Sequence, residues 1–412
     1  MHQLSETNHG GSKDGLNDYE RTFHRPRCCN TIDEKLLWLE LNPTNQHGTK
    51  QKMSLQRPNI LRMRGYNFGE QPNSESVIKL NTNENPYPPS PQVAEALANI
   101  KASTLNRYPS PKATAFRKTA ARLHDLHVDN IIPTNGGDEL LRLIITTYVD
   151  PTETVGSTAP SYSLYPVLAA TQNCNFVEIP LTKSWDLPED LGTLLNEKKI
   201  KAFFLINPHA PTGHLFSSEQ IEKIASEFQG LLVIDEAYVD FVDPDQQHNC
   251  VPLIDRYDNL IILRTLSKGY SLAGLRFGYG LACKDLIAPL ANKTRDSYNT
   301  DSIAQVLATA ALKSKAYSEG TWRQIRQSRK MLISELQKIG ISCSSSEANF
   351  LLCTIDHPIQ INAQMLYEKL KKEDIYVRYF DQPLLQNKIR VTVGSETENE
   401  RLLSWLRATV KF

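Results

Sequence analysis

Charge surplus is absent from this sequence. Its 412 residues balance 46 lysines and arginines against 46 aspartates and glutamates, for a formal net charge of zero. Proteins that grip nucleic acid across a broad face carry a basic excess, so that class is excluded at the whole-chain level. Long apolar runs are missing too, which excludes a helix spanning a bilayer. A disulfide framework is the third absence. The seven cysteines, Cys28, Cys29, Cys174, Cys250, Cys283, Cys343 and Cys353, are odd in number and irregularly spaced. The adjacent Cys28–Cys29 pair lacks zinc-site spacing, and no metal is expected. A reducing compartment, and hence the cytoplasm, is the simplest reading. At this length the chain can bury one large core and a smaller second one.

Residues 1–52 differ from the remainder. They are rich in Asn, Gln, His, Gly and charge, with one apolar patch at 36–41. Asp14, Asp18, Glu20, Asp33 and Glu34 argue against an organelle transit peptide, and no apolar h-region marks a secretory signal. The segment holds too little apolar surface for a core and is expected to be disordered. A leader not made in the cell, or a tail packed on a second copy, are the alternatives.

Beyond it, apolar runs such as AFFLI (202–206), LLVI (231–234) and LIIL (260–263) alternate with helix-compatible stretches. In SSEQIEKIASEF (217–228), Ser218 suits an N-cap while Ile221, Ile224 and Phe228 share a face. Strands alternating with helices predict an α/β fold with a parallel-rich sheet covered on both sides. After a helical region over about 301–340 the pattern changes. ANFLLCTI (348–355) and KIRVTVG (388–394) read as strands around a helix at 363–373, a smaller α+β module whose charged helix face is solvated. No repeat and no Pro/Ser linker interrupts this core.

Chemistry concentrates at two strand exits. The run 260–263 leads into Thr265, Ser267 and Lys268, and Arg276 follows in a Gly-rich stretch. A lysine alone says little, since most are solvated surface charges. An amine, two hydroxyls and a guanidinium around one small volume suit a phosphorylated aldehyde: the amine bonds the aldehyde, and the others hold the phosphate. The cofactor implied is pyridoxal 5′-phosphate (PLP). In LLVIDEAYVDF (231–241) Asp235 emerges at a strand's carboxyl end, where ligands of open α/β sheets collect. A carboxylate there would keep the pyridine nitrogen protonated, and Tyr238 would donate to the ring's 3′-oxygen. The structural alternative for Asp235 is a helix cap.

With those segments in view, the chain resembles the fold-type I PLP-dependent aminotransferases, and more narrowly the histidinol-phosphate aminotransferases. The strings that carry the resemblance run in order from about Met53, where family chains often start. They include KLNTNENPYPPSP (79–91), NRYPSP (106–111), TNGGDEL (134–140), APSYSLY (159–165), NPHAPTG (207–213), VIDEAYVDF (233–241), RTLSKGYSLAGLRFGYG (264–280), ANFLL (348–352), VRYF (377–380) and IRVTVGS (389–395). The resemblance implies a mostly parallel seven-stranded sheet between helices, in a large domain over 106–305. Residues 53–105 would form an N-terminal arm and small-domain segment, and 306–412 a small α+β domain.

It also implies roles. The backbone of Gly137 and Asp138 would meet the PLP phosphate beside Ser267 and Arg276, at the start of a helix. A Gly-Gly-Asp run is equally an ordinary helix start. Tyr162 would stack on the pyridine ring, its alternative being a core tyrosine. Tyr108 would reach across a homodimer to the neighbour's phosphate. Arg390 would engage the substrate anion, with Arg378 as a second guanidinium and Tyr87 closing over the phosphate. A surface salt bridge is the alternative for Arg378. One motif departs from the family pattern: Ala210 stands where an asparagine normally bonds the 3′-oxygen. Asn207 is favoured over His209 as its replacement.

The expected activity is exchange of an amino group between histidinol phosphate and 2-oxoglutarate, giving imidazole acetol phosphate and glutamate in histidine biosynthesis. Lys268 would move the proton and Asp235 would stabilise the charge. The alternatives are an aromatic amino acid aminotransferase, a decarboxylase of a phosphorylated amino acid, or a PLP-fold sensor without turnover.

Overall fold

The computed structural model describes residues 54–410, apart from 73, 75 and 357–360. The extension expected over 1–52, with Met53, lies outside the described residues. From Gln56 onward the chain forms one unit.

After β1 (Ile78–Lys79), strands β2 (Ile131–Thr134), β3 (Thr154–Ala159), β4 (Asn175–Pro180), β5 (Ile200–Ile206), β6 (Leu231–Asp235), β7 (Leu260–Thr265) and β8 (Gly278–Ala282) follow in sequence. β2 to β8 build one seven-stranded sheet in the order β2-β8-β7-β6-β5-β3-β4. β8 runs antiparallel to β2 and β7, and the other pairings are parallel. The central strands are near-continuous apolar runs because both their faces are covered. Alternation along them feeds two separate cores. Phe203, Leu205, Leu232, Ile234 and Ile262 enter one, while Phe204, Ile206, Val233, Ile261 and Leu263 enter the other. Ile221 and Ile224 of helix Ser218–Glu227 cover the first face, and Leu140, Leu141 and Ile144 of helix Gly136–Tyr148 the second.

The cap of helix Ser218–Glu227 is Ser217 rather than Ser218. The Ser217 hydroxyl accepts from the Gln220 amide, and the Gln220 side chain returns a bond to the Ser217 backbone. Such a box needs a glutamine or glutamate three residues on; Gln220 supplies it for Ser217, whereas Ser218 would have Ile221 there.

The smaller module contains β9 (Ser342–Cys343), β10 (Phe350–Thr354), β11 (Ile375–Tyr376), β12 (Arg378–Tyr379) and β13 (Lys388–Thr392). An antiparallel sheet runs β12-β13-β10-β9. β1 pairs in parallel with β11, so the segment before the large sheet is stitched to this module. Helices Ser302–Lys313 and Lys315–Lys338 connect the two sheets in sequence, and the boundary expected after residue 305 falls inside the first of them. Among the described residues no helix is long and apolar enough to cross a membrane.

Candidate active site

Asp235 ends β6 and Thr265 ends β7, so the parallel strands deliver both to the same edge of the sheet. A cavity of about 270 Å³ opens there, with Asp235, Lys268, Tyr162, Arg276, Arg378 and Arg390 in its wall.

Lys268 Nζ donates to the carbonyl of Thr82 at 2.7 Å. Burial, reinforced by the Arg390 charge, pushes its amine down to about 8. A lysine so placed has a free amine at far lower pH than one in water. Asp235 is buried, and burial raises its carboxyl to about 6 against the opposing hydrogen bonds. Those bonds come from the Tyr165 hydroxyl to Oδ2 at 3.0 Å and the Ala237 amide to Oδ1 at 3.1 Å. Tyr165 was not foreseen: three residues beyond Tyr162, it reads in sequence as one more core aromatic.

Tyr238 lines the cavity, and its oxygen accepts from Asn83 Nδ2 at 3.0 Å. Its own hydrogen is left free to donate. Asn83 is fixed in turn by the Thr392 hydroxyl, which donates to its Oδ1 at 3.2 Å. Sequence reasoning missed this support because Asn83, Tyr238 and Thr392 converge only through the fold.

Groups suited to an anion gather at one helix start in the wall. Helix Gly136–Tyr148 starts there, with Gly137 and Asp138 in the cavity wall. Gly136 adopts φ +78°, a conformation that favours glycine, and a Cβ on it would stand 2.9 Å from Arg276 Nη2 and displace that guanidinium. Arg276 Nη2 lies 3.4 Å from Asp138 Oδ2. The Thr265 hydroxyl donates to Ser267 Oγ at 3.0 Å and receives the Ser267 amide at 3.1 Å, which orients the Ser267 hydroxyl.

At the mouth, Arg378 and Arg390 are direct cross-strand partners on β12 and β13. Arg390 Nη2 donates to the Asn81 carbonyl at 3.0 Å, while its Nε is buried without a protein acceptor. Burial and the Arg378 charge hold the Arg390 guanidinium below its ordinary value. Phe380 lies beneath both guanidiniums, at 5.6 Å from Arg378 and 5.5 Å from Arg390.

Several expected residues stand elsewhere. Asn207 is outside the cavity wall, because its amide is committed to the backbone of Phe216: Nδ2 donates to the carbonyl, and Oδ1 accepts the amide, both at 2.9 Å. His209 is also buried away from it, bonded to Thr158 and Thr212, and burial drives its imidazole down to about 3. Neither replaces the asparagine missing at Ala210, which does line the cavity. Tyr87 is outside the wall too, its hydroxyl directed to Ser328 near Glu396. The tyrosine that does reach in from the N-terminal segment is Tyr66, packed edge-on to Tyr162 at 5.6 Å. Tyr162 also points its hydroxyl at Asp138 Oδ1, 3.4 Å away. Tyr108 is 80% exposed and stacked on Tyr298, away from the cavity. Glu236, His248 and Cys250 bring donor atoms within 4.8 Å of one another, but Arg264 already stands 2.6 Å from Glu236, so an internal ion pair occupies that cluster.

This arrangement fits a phosphorylated pyridine aldehyde. Gly137 at the helix start, with Ser267 and Arg276, could take a phosphate, Lys268 an aldehyde, and buried Asp235 a ring nitrogen.

A family model described as aminotransferase class I and II matches residues 75–406. A histidinol-phosphate aminotransferase of Microcystis aeruginosa is 42% identical, over 82% of this chain and 94% of that protein. Another from Geobacter sp. (strain M21) is 40% identical, over 85% and 97%. The solved structure of a histidinol-phosphate aminotransferase from Sinorhizobium meliloti, in complex with pyridoxal-5′-phosphate, superposes with a TM-score of 0.79. It covers 86% of this chain and 97% of its own at 23% identity, a likeness of fold. With a family match across both sheets, and relatives of this identity along nearly their whole lengths, the chain belongs to the class I and II aminotransferases.

Proposed function

We propose that this chain is a PLP-dependent aminotransferase that moves an amino group between histidinol phosphate and 2-oxoglutarate, yielding imidazole acetol phosphate and glutamate in histidine biosynthesis. The observation that carries the substrate assignment is the pair Arg378 and Arg390 at the cavity mouth, directly opposed and both lining it. Two planar guanidiniums suit a phosphate, and the same pair serves the carboxylates of glutamate in the return half-reaction. The histidinol-phosphate aminotransferases among its relatives support the same reading.

When bound, PLP supplies an aldehyde that condenses with amines and a ring that takes up the electrons left at the substrate carbon. Gly137, Asp138, Ser267 and Arg276 hold its phosphate end. Lys268, with a depressed pKa, removes the proton from the substrate carbon and returns it to the cofactor side. Asp235 supplies the buried negative charge that favours a protonated ring nitrogen. Tyr238, held by Asn83, donates its hydroxyl hydrogen to the ring oxygen. Tyr162 would stack on the ring, with Tyr66 packed edge-on against Tyr162.

The active species is a cytoplasmic homodimer in which exposed Tyr108 reaches the neighbour's phosphate site. Residues 106–305 act as the cofactor-holding domain; 306–412 bring the substrate-binding arginines to it, and 53–105 is joined to that module through β1.

The test is glutamate formation from histidinol phosphate and 2-oxoglutarate, with Lys268→Ala as the control. Turnover in the parent and its loss in the variant are expected. Near-normal turnover without Lys268 would overturn the assignment.

A further inference from the structure

Cys343 and Cys353 meet across the edge of the small sheet. They are Cα partners on β9 and β10, and their sulfurs stand 3.4 Å apart. The Ser344 amide donates to the Leu352 carbonyl at 3.1 Å, so the neighbouring pair is the hydrogen-bonded one. Antiparallel pairs alternate, which makes Cys343–Cys353 a non-hydrogen-bonded pair, with the closer Cα approach. That approach lies within the range a disulfide spans without backbone rearrangement. The two thiols also differ in access: Cys353 is fully buried, whereas Cys343 on the edge strand is partly exposed. A peroxide can therefore reach one sulfur, and the other waits behind it.

We propose that Cys343 and Cys353 form an oxidisable dithiol, which a hydroperoxide closes to a reversible cross-strand disulfide. The Cys343 thiolate attacks a peroxide oxygen. An S–O bond forms, the O–O bond breaks, sulfur loses two electrons and hydroxide or alkoxide leaves. Cys353 sulfur then attacks Cys343 sulfur. The S–S bond forms, the S–O bond breaks, and the Cys353 proton departs with the oxygen as water. Two thiols and one hydroperoxide thus give one disulfide, one water, and one further water or alcohol.

The location gives the modification a consequence. The bond would close the loop 344–352, which ties the small sheet to the large one. Within it, the Glu347 amide donates to the Gly213 carbonyl at 2.8 Å, and Glu347 Oε2 accepts from Arg329 at 2.7 Å. Asn349 Nδ2 donates to the carbonyl of Asn83 at 3.0 Å, the residue that holds Tyr238. Oxidation therefore fastens the strut behind the cavity without consuming any residue of its wall. Two plain thiols packed as small apolar groups would show none of this chemistry.

The experiment exposes the cofactor-loaded full chain to a small excess of hydrogen peroxide, alkylates the remaining thiols, and cleaves after glutamate. Glu347 lies between the two cysteines, so their peptides separate unless a disulfide joins them. The expected result is a joined pair lacking both alkyl groups, with Cys174 and Cys283 alkylated, reversed by dithiothreitol. The oxidised parent should also unfold at a higher temperature than the reduced one. Cys343→Ser should keep Cys353 as a free thiol under the same exposure and lose that shift. Sulfinic acid at Cys343 beside an alkylated Cys353 would overturn the proposal. So would two intact thiols at a dose that oxidises Cys174.

Discussion

Arg378 and Arg390 face each other across neighbouring antiparallel strands, in register and both in the cavity wall. Like charges directly opposite one another weaken a sheet. Among the described residues no carboxylate forms a salt bridge with either. Phe380, beneath both, and Phe350, 5.1 Å below Arg390, offset part of the repulsion through their ring faces. The two unneutralised charges side by side support the proposed role of the pair in holding an anion.

The two arginines should separate the half-reactions. Arg390→Ala should damage both, since its guanidinium is proposed to serve the substrate phosphate and a glutamate carboxylate alike. Arg378→Ala should hurt histidinol phosphate more than glutamate, by about 1.5–3 kcal/mol for each charged hydrogen bond lost. The ratio of kcat/KM values for the two directions reads this; an equal loss in both would remove the special role of Arg378.

Cofactor capture should follow the Lys268 amine. With that group pushed down to about 8, it is protonated and unreactive below this pH and free above it. Recombination of the cofactor-free protein with PLP, followed by visible absorbance, should accelerate as pH rises through about 8. A rate that is flat until near pH 10 would mean an amine with the ordinary value.

Asp235 offers a second pH test. The Tyr165 hydroxyl stabilises the ionised carboxylate, so Tyr165→Phe should raise the Asp235 pKa further. Activity should then begin to fall at a higher pH on the acid side, with little change at the alkaline side. Asp235→Asn should cost about 2–4 kcal/mol in kcat above the acid limb, where the parent carboxylate is ionised, and less below it. An unmoved acid limb in Tyr165→Phe would show that another group sets it.

Lys268 and Asp235 were legible because Asp235 ends one apolar run and Lys268 follows shortly after another, and such runs become central strands whose ends converge. Their partners were not. Tyr165 is indistinguishable in sequence from a packing aromatic, and Asn83 meets Tyr238 only when β1 and β13 are assembled. Tyr87 misled because its neighbours Asn81, Thr82 and Asn83 do line the cavity, while its own side chain turns to Ser328. Asn207 kept the right chemistry, but the backbone of Phe216 claims both ends of its amide.

Assembly has its own test. Tyr108 is too exposed to serve its own cavity, so its role requires a second copy. Dilution to monomers should release PLP and activity together, and Tyr108→Phe should weaken PLP retention. A fully active monomer in sedimentation would contradict the shared site.

The most direct measurement is kcat/KM for amino transfer to 2-oxoglutarate from histidinol phosphate, histidinol and phenylalanine. A phosphate held by Arg378 and Arg390 predicts histidinol phosphate first, with loss of the phosphate costing about 2–4 kcal/mol, or roughly 30- to 1000-fold. Phenylalanine equal to or better than histidinol phosphate, or histidinol equal to it, would contradict the assignment.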